Sequence, residues 1–166
     1  MFENIKKDYM NHNREFFNVG FSAMVVYRFG RWRYSIKNKF IRKPFSFIYK
    51  LLYFNIKKCG IELPCEVILG DNFQIHHNGG IVVSGYTQFG NNCIIRNGVT
   101  IGTARIDRIE APVIGNNVNM GTGAKILGGI VIGDNVDIGA NAVVLKDIPN
   151  NCIAVGIPAR IIKKDK

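Results

Sequence analysis

The sequence predicts a mainly β protein: a triangular coil of short stacked strands, preceded by a helical segment. Three observations predict it. The first is an internal period. Five consecutive six-residue units run from Ile114 to Val143, reading IGNNVN, MGTGAK, ILGGIV, IGDNVD and IGANAV. Each opens on an aliphatic residue (Ile114, Met120, Ile126, Ile132, Ile138), and Gly follows it in four of the five. Six residues are too few for a helical repeat. They suit a strand and a turn wound around a coil, in which stacked rungs bury a core that no single rung could bury alone. The opening aliphatic is expected to point inward, and the Asn-Asn, Asp-Asn and Gly pairs supply corners with positive φ.

The second observation is a break in composition. Residues 1–58 hold 13 Lys/Arg against 3 Asp/Glu, whereas residues 59–166 hold 9 of each, so the whole net charge of +10 lies in the first third. The third is a matching split of residue types: 15 of the 18 aromatics lie before residue 59 and 16 of the 18 glycines after it. Two units are therefore expected, a basic, aromatic-rich helical segment at 1–58 and a coil at 59–166 that ends in a short C-terminal tail.

Within the first unit, Phe21 to Phe29 forms an apolar stretch with Arg28, Arg31 and Arg33 at its end, where positive charge suits a helix C-terminus. Pro44 is expected to open a second helix, closed by Lys57, Lys58 and Gly60. Its apolar residues Phe45, Ile48, Leu51, Leu52 and Phe54 cover more than one face. That pattern fits packing on the coil end or on a neighbouring subunit, or an interfacial helix on anionic lipid.

From Ile61 onward the aliphatic-small rhythm recurs at Leu69-Gly70, Ile75-His76, Val83-Ser84, Phe89-Gly90, Ile95-Arg96 and Ile101-Gly102. It slips by two residues around Gly79-Gly80 and breaks over 103–113, TARIDRIEAPV, before resuming at Ile114. Such an interruption predicts an ejected loop near the substrate.

Composition narrows the function classes. A chain of 166 residues has the size of one domain. Four cysteines without a Cys-x-x-Cys pair, and no signal-peptide pattern, fit a reducing cytoplasm. No apolar run approaches the roughly 18–20 residues needed to span a bilayer. A cytoplasmic protein is expected, with peripheral contact at the inner membrane face as a further option. The basic residues are interleaved with core-like aromatics and no nucleic-acid motif accompanies them, so no nucleic-acid partner is expected.

Three histidines bear on chemistry. His12 lies in a charged stretch and is expected to be solvated; His76 and His77 are adjacent, and neighbours along a strand point to opposite faces. An imidazole has the unperturbed pKa nearest working pH, as a base for an alcohol nucleophile requires.

The hexapeptides and the closing AVGIPARIIKK resemble the left-handed parallel β-helix acyltransferases of the hexapeptide-repeat family, from about residue 60 to the C-terminus. The nearest branch resembles serine acetyltransferases and the short O-acetyltransferases of capsule and exopolysaccharide synthesis. The resemblance rests on HHNGGIVV (76–83), GVTIG (98–102), GTGAKILGGIVIG (121–133), IGANAVVL (138–145) and VGIPARI (155–161). It implies a homotrimer with active sites in the grooves between coils. It also implies acetyl-CoA as donor co-substrate, with no metal and no permanently bound cofactor.

By the same resemblance His77 is the catalytic base. Glu62, fifteen residues earlier, stands where serine acetyltransferases place an Asp that holds the imidazole; Glu66 and Asp71 remain alternatives. Acetyl-CoA is expected along Gly102, Thr103, Gly121, Gly123, Ala124, Gly139 and Ala140, with its phosphates near Arg160, Lys163 and Lys164.

Serine acetyltransferases carry an acidic residue before the catalytic His and an Arg-His pair before the loop Pro. Here those positions read His76 and Glu110-Ala111 before Pro112, with Arg105 and Arg108 available in the loop. A long all-helical N-terminal domain and a C-terminal tail ending in Ile are also not found in the sequence. These departures imply acetyl transfer to a sugar hydroxyl of a surface-polysaccharide precursor, with a lipid-linked sugar as one option for the acceptor. Serine O-acetylation, sugar N-acetylation and a non-catalytic scaffold are the alternatives. A carbonic anhydrase on this coil would need three His zinc ligands, and the coil holds two His.

Overall fold

A computed structural model describes residues 2–12, 14–105, 107 and 110–164. Three helices come first: α1 (Phe2–Asn11), α2 (Val19–Arg33) and α3 (Lys39–Lys58). Asn18 caps α2 by accepting from Phe21 N–H, and Asn38 caps α3 by accepting from Phe40 and Ile41 N–H. Pro44 therefore does not open α3 but lies inside it. The Asn cap starts the helix earlier, because a side-chain acceptor for the free N–H groups outweighs the preference of Pro for a first turn.

The strands follow in chain order as β1 (Ile61–Glu62), β2 (Gln74–His76), β3 (Ile81–Val83), β4 (Gln88–Phe89), β5 (Ile94–Arg96), β6 (Thr100–Gly102) and β7 (Val113–Ile114). They continue as β8 (Asn119–Met120), β9 (Lys125–Leu127), β10 (Val131–Ile132), β11 (Asp137–Ile138), β12 (Val143–Val144), β13 (Cys152–Val155) and β14 (Arg160–Lys163). They form a five-stranded face, β1-β3-β6-β9-β12, a three-stranded face, β10-β7-β4, and a six-stranded face, β14-β13-β11-β8-β5-β2. All pairings are parallel except β13 with β14. The chain runs from the six-stranded to the five-stranded to the three-stranded face and round again, which is the parallel β-helix the hexads predict.

The five opening aliphatics all point inward; Ile114 and Ile138 are 2% exposed and Met120 and Ile126 fully buried. Each such side chain contributes about 2 kcal/mol of apolar burial. At the corner leading into the six-stranded face, Asn72, Asn92, Asn117, Asn135 and Asn151 all adopt φ of 55–57°. Their amides form one continuous ladder, each Nδ2 donating to the next Oδ1 at 2.9–3.1 Å. A second ladder runs beside it, in which Asn91, Asn116, Asp134 and Asn150 accept from the backbone N–H of the preceding coil. Asn tolerates the left-handed region better than other side chains, and here its amide also ties coil to coil.

Both ends of the coil are covered, which shields the edge strands. The antiparallel β14 closes the six-stranded face at one end. The helices cover the other. Tyr27 Oη donates to Val67 C=O at 2.9 Å, and Arg33 stacks over Tyr49 while its Nη2 reaches Cys65 Sγ. Burial and the Cys65 contact push the Tyr49 hydroxyl pKa upward, and burial raises Tyr53 to about 12. Gly30 is required where α2 meets the coil, because a Cβ there would lie 2.5 Å from Cys65 Cβ.

Candidate active site

Strand register locates the two irregularities of the coil. His76 pairs with Arg96 and Val82 with Thr100, so five residues (77–81) lie between the paired positions in one coil and three (97–99) in the next. The two-residue slip in the sequence is thus a bulged corner between the six-stranded and five-stranded faces. His77 sits on this bulge, exposed, at φ 62°, with Gly79 and Gly80 also at positive φ. His76 and His77 are therefore not separated by strand alternation. His76 ends β2 facing outward, and His77 has already turned into the corner.

The second irregularity is the loop. Gly102 pairs with Leu127 and Val113 with Val131, which leaves ten residues (103–112) in one coil against three (128–130) in the next. Val113, read as part of the break, is already in β7. Glu110 packs over Gly129 and Ala104 over Gly128, so both stems of the loop lie on the corner of the following coil. Arg105 pairs with Asp107 at 3.0 Å within the loop. Arg108, the other acceptor candidate, lies outside the described residues.

Around the histidines, one hollow of about 320 Å³ is lined by Asn11, His12, Glu15, Gln74, His76 and His77 among others. His12 is not solvated. It is 4% exposed, its Nδ1 meets Asp8 C=O at 2.7 Å, and its Nε2 accepts from Ile75 N–H at 3.2 Å. The reason is the outer edge of β2, whose Ile75 N–H needs an acceptor that the turn just after α1 supplies. His76 Nε2–H donates to Gln74 Oε1 at 2.9 Å, because an amide oxygen can only accept. Burial, then the Arg96 guanidinium, then His12 and His77, hold the His76 pKa below its ordinary value. His76 is thereby a neutral hydrogen-bonding group at neutral pH. His77 makes no hydrogen bond to another described residue.

Glu62 stands on β1, beside the same corner. The turn before it packs against the bulge, since Ile81 N–H donates to Gly60 C=O at 2.9 Å and a Cβ on Gly60 would meet Gly79. The carboxylate itself pairs with Lys57 at 2.9 Å and does not bond to His77. Its neighbour α3 ends in lysines, and Lys57 reaches it first. Of the fallback carboxylates, Glu66 accepts from Tyr34 Oη at 2.8 Å beneath Arg33, and Asp71 is exposed at the Asn corner.

The donor candidates separate into three places. Gly102 ends β6 and Thr103 follows it at the root of the loop. Gly121, Gly123, Gly139 and Ala140 stack at the corner above His77, where a Cβ on Gly121 would lie 2.6 Å from Ala140 N. Ala124 does not belong with them: its side chain is fully buried, its C=O accepts from Thr100 N–H and its N–H donates to Gly121 C=O. Inward-facing positions serve the core. Arg160 and Lys163 are exposed on β14, and Lys164 pairs with Asp137 at 2.8 Å. Thus one chain places His77 at one edge of the five-stranded face and the loop with Gly102 and Thr103 at the other. Gln74 and Arg96 were missed in the sequence, although one coil length, twenty residues, separates Arg96 from His76.

Hexapeptide rungs wound into a three-faced coil, with one bulged corner and one ejected loop, define the class of hexapeptide-repeat β-helix proteins. The family model described as bacterial transferase hexapeptide (six repeats) matches residues 111–146. The chain is 40% identical over 144 residues to serine acetyltransferase of Synechococcus elongatus, covering 86% of this chain and 57% of that one. It is 41% identical to a protein of Escherichia coli named as the colanic acid biosynthesis acetyltransferase WcaB, over 67% of this chain and 70% of the relative. Against serine acetyltransferase of Helicobacter pylori it is 36% identical, over 89% and 83%. The crystal structure of Brucella abortus serine acetyltransferase in complex with coenzyme A superposes with a TM-score of 0.79 at 30% identity, covering 98% of this chain and 66% of that one. The chain belongs to the hexapeptide-repeat bacterial transferases, in the branch that holds the serine acetyltransferases. It spans less than two thirds of the Synechococcus relative.

Proposed function

We propose that the protein is an acetyl-CoA-dependent O-acetyltransferase acting on a sugar hydroxyl of a surface-polysaccharide precursor, with His77 as general base. The observation that carries this reading is the bulged corner at 77–81, which displays one unbonded imidazole beside a polar hollow. His77 takes the proton of the acceptor hydroxyl as its oxygen attacks the thioester carbonyl. The tetrahedral intermediate collapses with cleavage of the C–S bond, and the imidazolium returns the proton to the departing thiolate. Glu62, released from Lys57, is the carboxylate proposed to hold the imidazolium.

The working site is proposed to lie between copies in a homotrimer, because His77 and the loop sit at opposite edges of one face and cannot both line a groove of a single chain. Ile68, Val113 and Val131, 43–52% exposed and interrupted only by Gln88 in one outward row of the three-stranded face, support such contacts. CoA would run along Gly121, Gly123, Gly139 and Ala140 of one copy and Gly102 and Thr103 of another, with Arg160 and Lys163 near its phosphates.

A sugar rather than an amino acid is favoured by His76 and Arg96. A neutral imidazole beside a guanidinium offers no counter-charge to an ammonium. A second reading, serine as acceptor, is favoured by Glu15, an acidic residue that lines the same hollow, and by the relatives named as serine acetyltransferases. Thiol release from acetyl-CoA, measured with nucleotide-linked sugars and with L-serine, separates the two. Faster turnover of serine, lost in Glu15→Gln, would move the assignment to serine. Resistance of the product to alkaline hydroxylamine would indicate an amide and a sugar amine acceptor.

A further inference from the structure

α3 has two apolar faces, and only one is buried by the described residues of the chain. Tyr49 and Ile56 are buried against α2 and the coil. On the opposite side Phe40, Phe47, Leu51 and Phe54 form a stripe at helical spacing, 80%, 65%, 51% and 56% exposed. At 3.6 residues per turn Lys39, Lys43, Lys50 and Lys57 run along one edge of that stripe. Lys57 pairs with Glu62, whereas the other three have no ion-pair partner among the described residues. Lys39, Arg42, Lys43 and Lys50 gather with Ser46 and Phe47 around a shallow hollow of about 400 Å³. Lys43 and Lys58 lie over the Phe40 and Phe54 rings at 5.2 and 4.5 Å, with their stems along the apolar surface.

The apolar surface continues past the other edge of the stripe. Leu52, 41% exposed, also lines a groove with Phe2, Ile5, Tyr9, Phe16 and Val25. Phe2 and Phe16 are themselves 80% and 70% exposed. Contiguous apolar surface of this kind marks an interaction site.

Charge selects the occupant. Between residues 16 and 61 there are ten Lys or Arg and no Asp or Glu. A second copy of the helical segment would bring like charge against like charge around the stripe. The surface needs a partner that is anionic at the rim and apolar beneath, extended over at least the length of a 20-residue helix, about 30 Å. No helix among the described residues is long and apolar enough to cross a membrane. We propose that α3 lies in the plane of an anionic lipid bilayer, with Phe40, Phe47, Leu51 and Phe54 among the acyl chains and Lys39, Lys43 and Lys50 at the phosphates. This docking is independent of the acetyl-transfer reading.

The test is flotation of the full chain with vesicles of phosphatidylcholine alone and of phosphatidylcholine mixed with phosphatidylglycerol. The chain should float with the mixed vesicles, remain behind with the neutral ones, and be released in part by high salt. Neutralising the edge with Lys39→Gln, Lys43→Gln and Lys50→Gln should lower partitioning about a hundredfold. Phe47→Glu with Leu51→Glu should abolish flotation with an unchanged circular dichroism spectrum and unchanged mass by light scattering. Failure of the wild type to float, equal flotation with neutral vesicles, or flotation that survives both sets of substitutions would overturn the proposal. A fall in oligomer mass in the Phe47→Glu/Leu51→Glu variant would overturn it too, by assigning the stripe to a subunit contact.

Discussion

His12 Nε2 accepts the Ile75 N–H at 3.2 Å across 63 residues of chain, and this bond fastens α1 to the open edge of β2. It also fixes the imidazole: Nδ1 carries the proton toward Asp8 C=O, and Nε2 keeps its lone pair. Because the ring walls the hollow that holds His76 and His77, one bond couples the helical segment to the candidate chemistry.

His12→Leu keeps the bulk and leaves the Ile75 N–H buried without an acceptor. Stability should fall by about 1–3 kcal/mol in urea denaturation at fixed protein concentration. His12→Gln, which restores an acceptor, should recover part of that loss. If Leu and Gln behaved alike, the bond would contribute nothing beyond packing.

His77 occupies the left-handed region, so alanine is a poor probe of its chemistry. His77→Asn suits φ 62° and removes only the base. kcat/KM should drop by about 10²–10⁴ while CoA affinity and melting temperature hold. His77→Ala should lose the same activity and about 1 kcal/mol of stability in addition. Unchanged turnover in the Asn variant would remove His77 from the reaction.

These two histidines also show how far the sequence could be read. The coil was legible because inward aliphatics recur every six residues, and any departure from the period stands out. The slip at Gly79-Gly80 and the break after Gly102 both became real features, the bulge that carries His77 and the ten-residue loop. Contacts between units were not legible. Nothing near His12 in the chain hints at Ile75, and nothing near Glu62 says that Lys57, at the end of a helix, takes its carboxylate. Pro44 is the louder signal in the sequence, yet the side-chain acceptor of Asn38 decides where the helix begins.

His76 predicts a pH dependence. Its pKa in the folded chain lies below the ordinary imidazole value, chiefly through burial and then through Arg96. Between the two values the unfolded chain binds more protons, so stability rises with pH across that window. Stability should be flat above about pH 7 and should fall as pH drops below about 6.5, the unfolded value. His76→Gln should flatten that part of the curve. Arg96→Gln should move the His76 titration midpoint upward, read from its ring protons by NMR; a downward move would reverse the assigned cause.

The Asn ladder makes a sharper claim about stability. Asn117 sits at its centre, accepting from Asn92 Nδ2 at 2.9 Å and donating to Asn135 Oδ1 at 3.0 Å, with φ at 55°. Asn117→Gly relieves the backbone and loses only the amide bonds, at a cost of about 1 kcal/mol after solvent exposure is allowed for. Asn117→Ala loses the same bonds and adds left-handed strain of roughly 1–2 kcal/mol. Alanine should therefore be the worse replacement by about that margin, the reverse of the order in a helix interior. Urea denaturation of the two variants decides it, because equal stabilities would mean that the corner relaxes out of the left-handed region and that the ladder, rather than the backbone, sets the stacking of the coils.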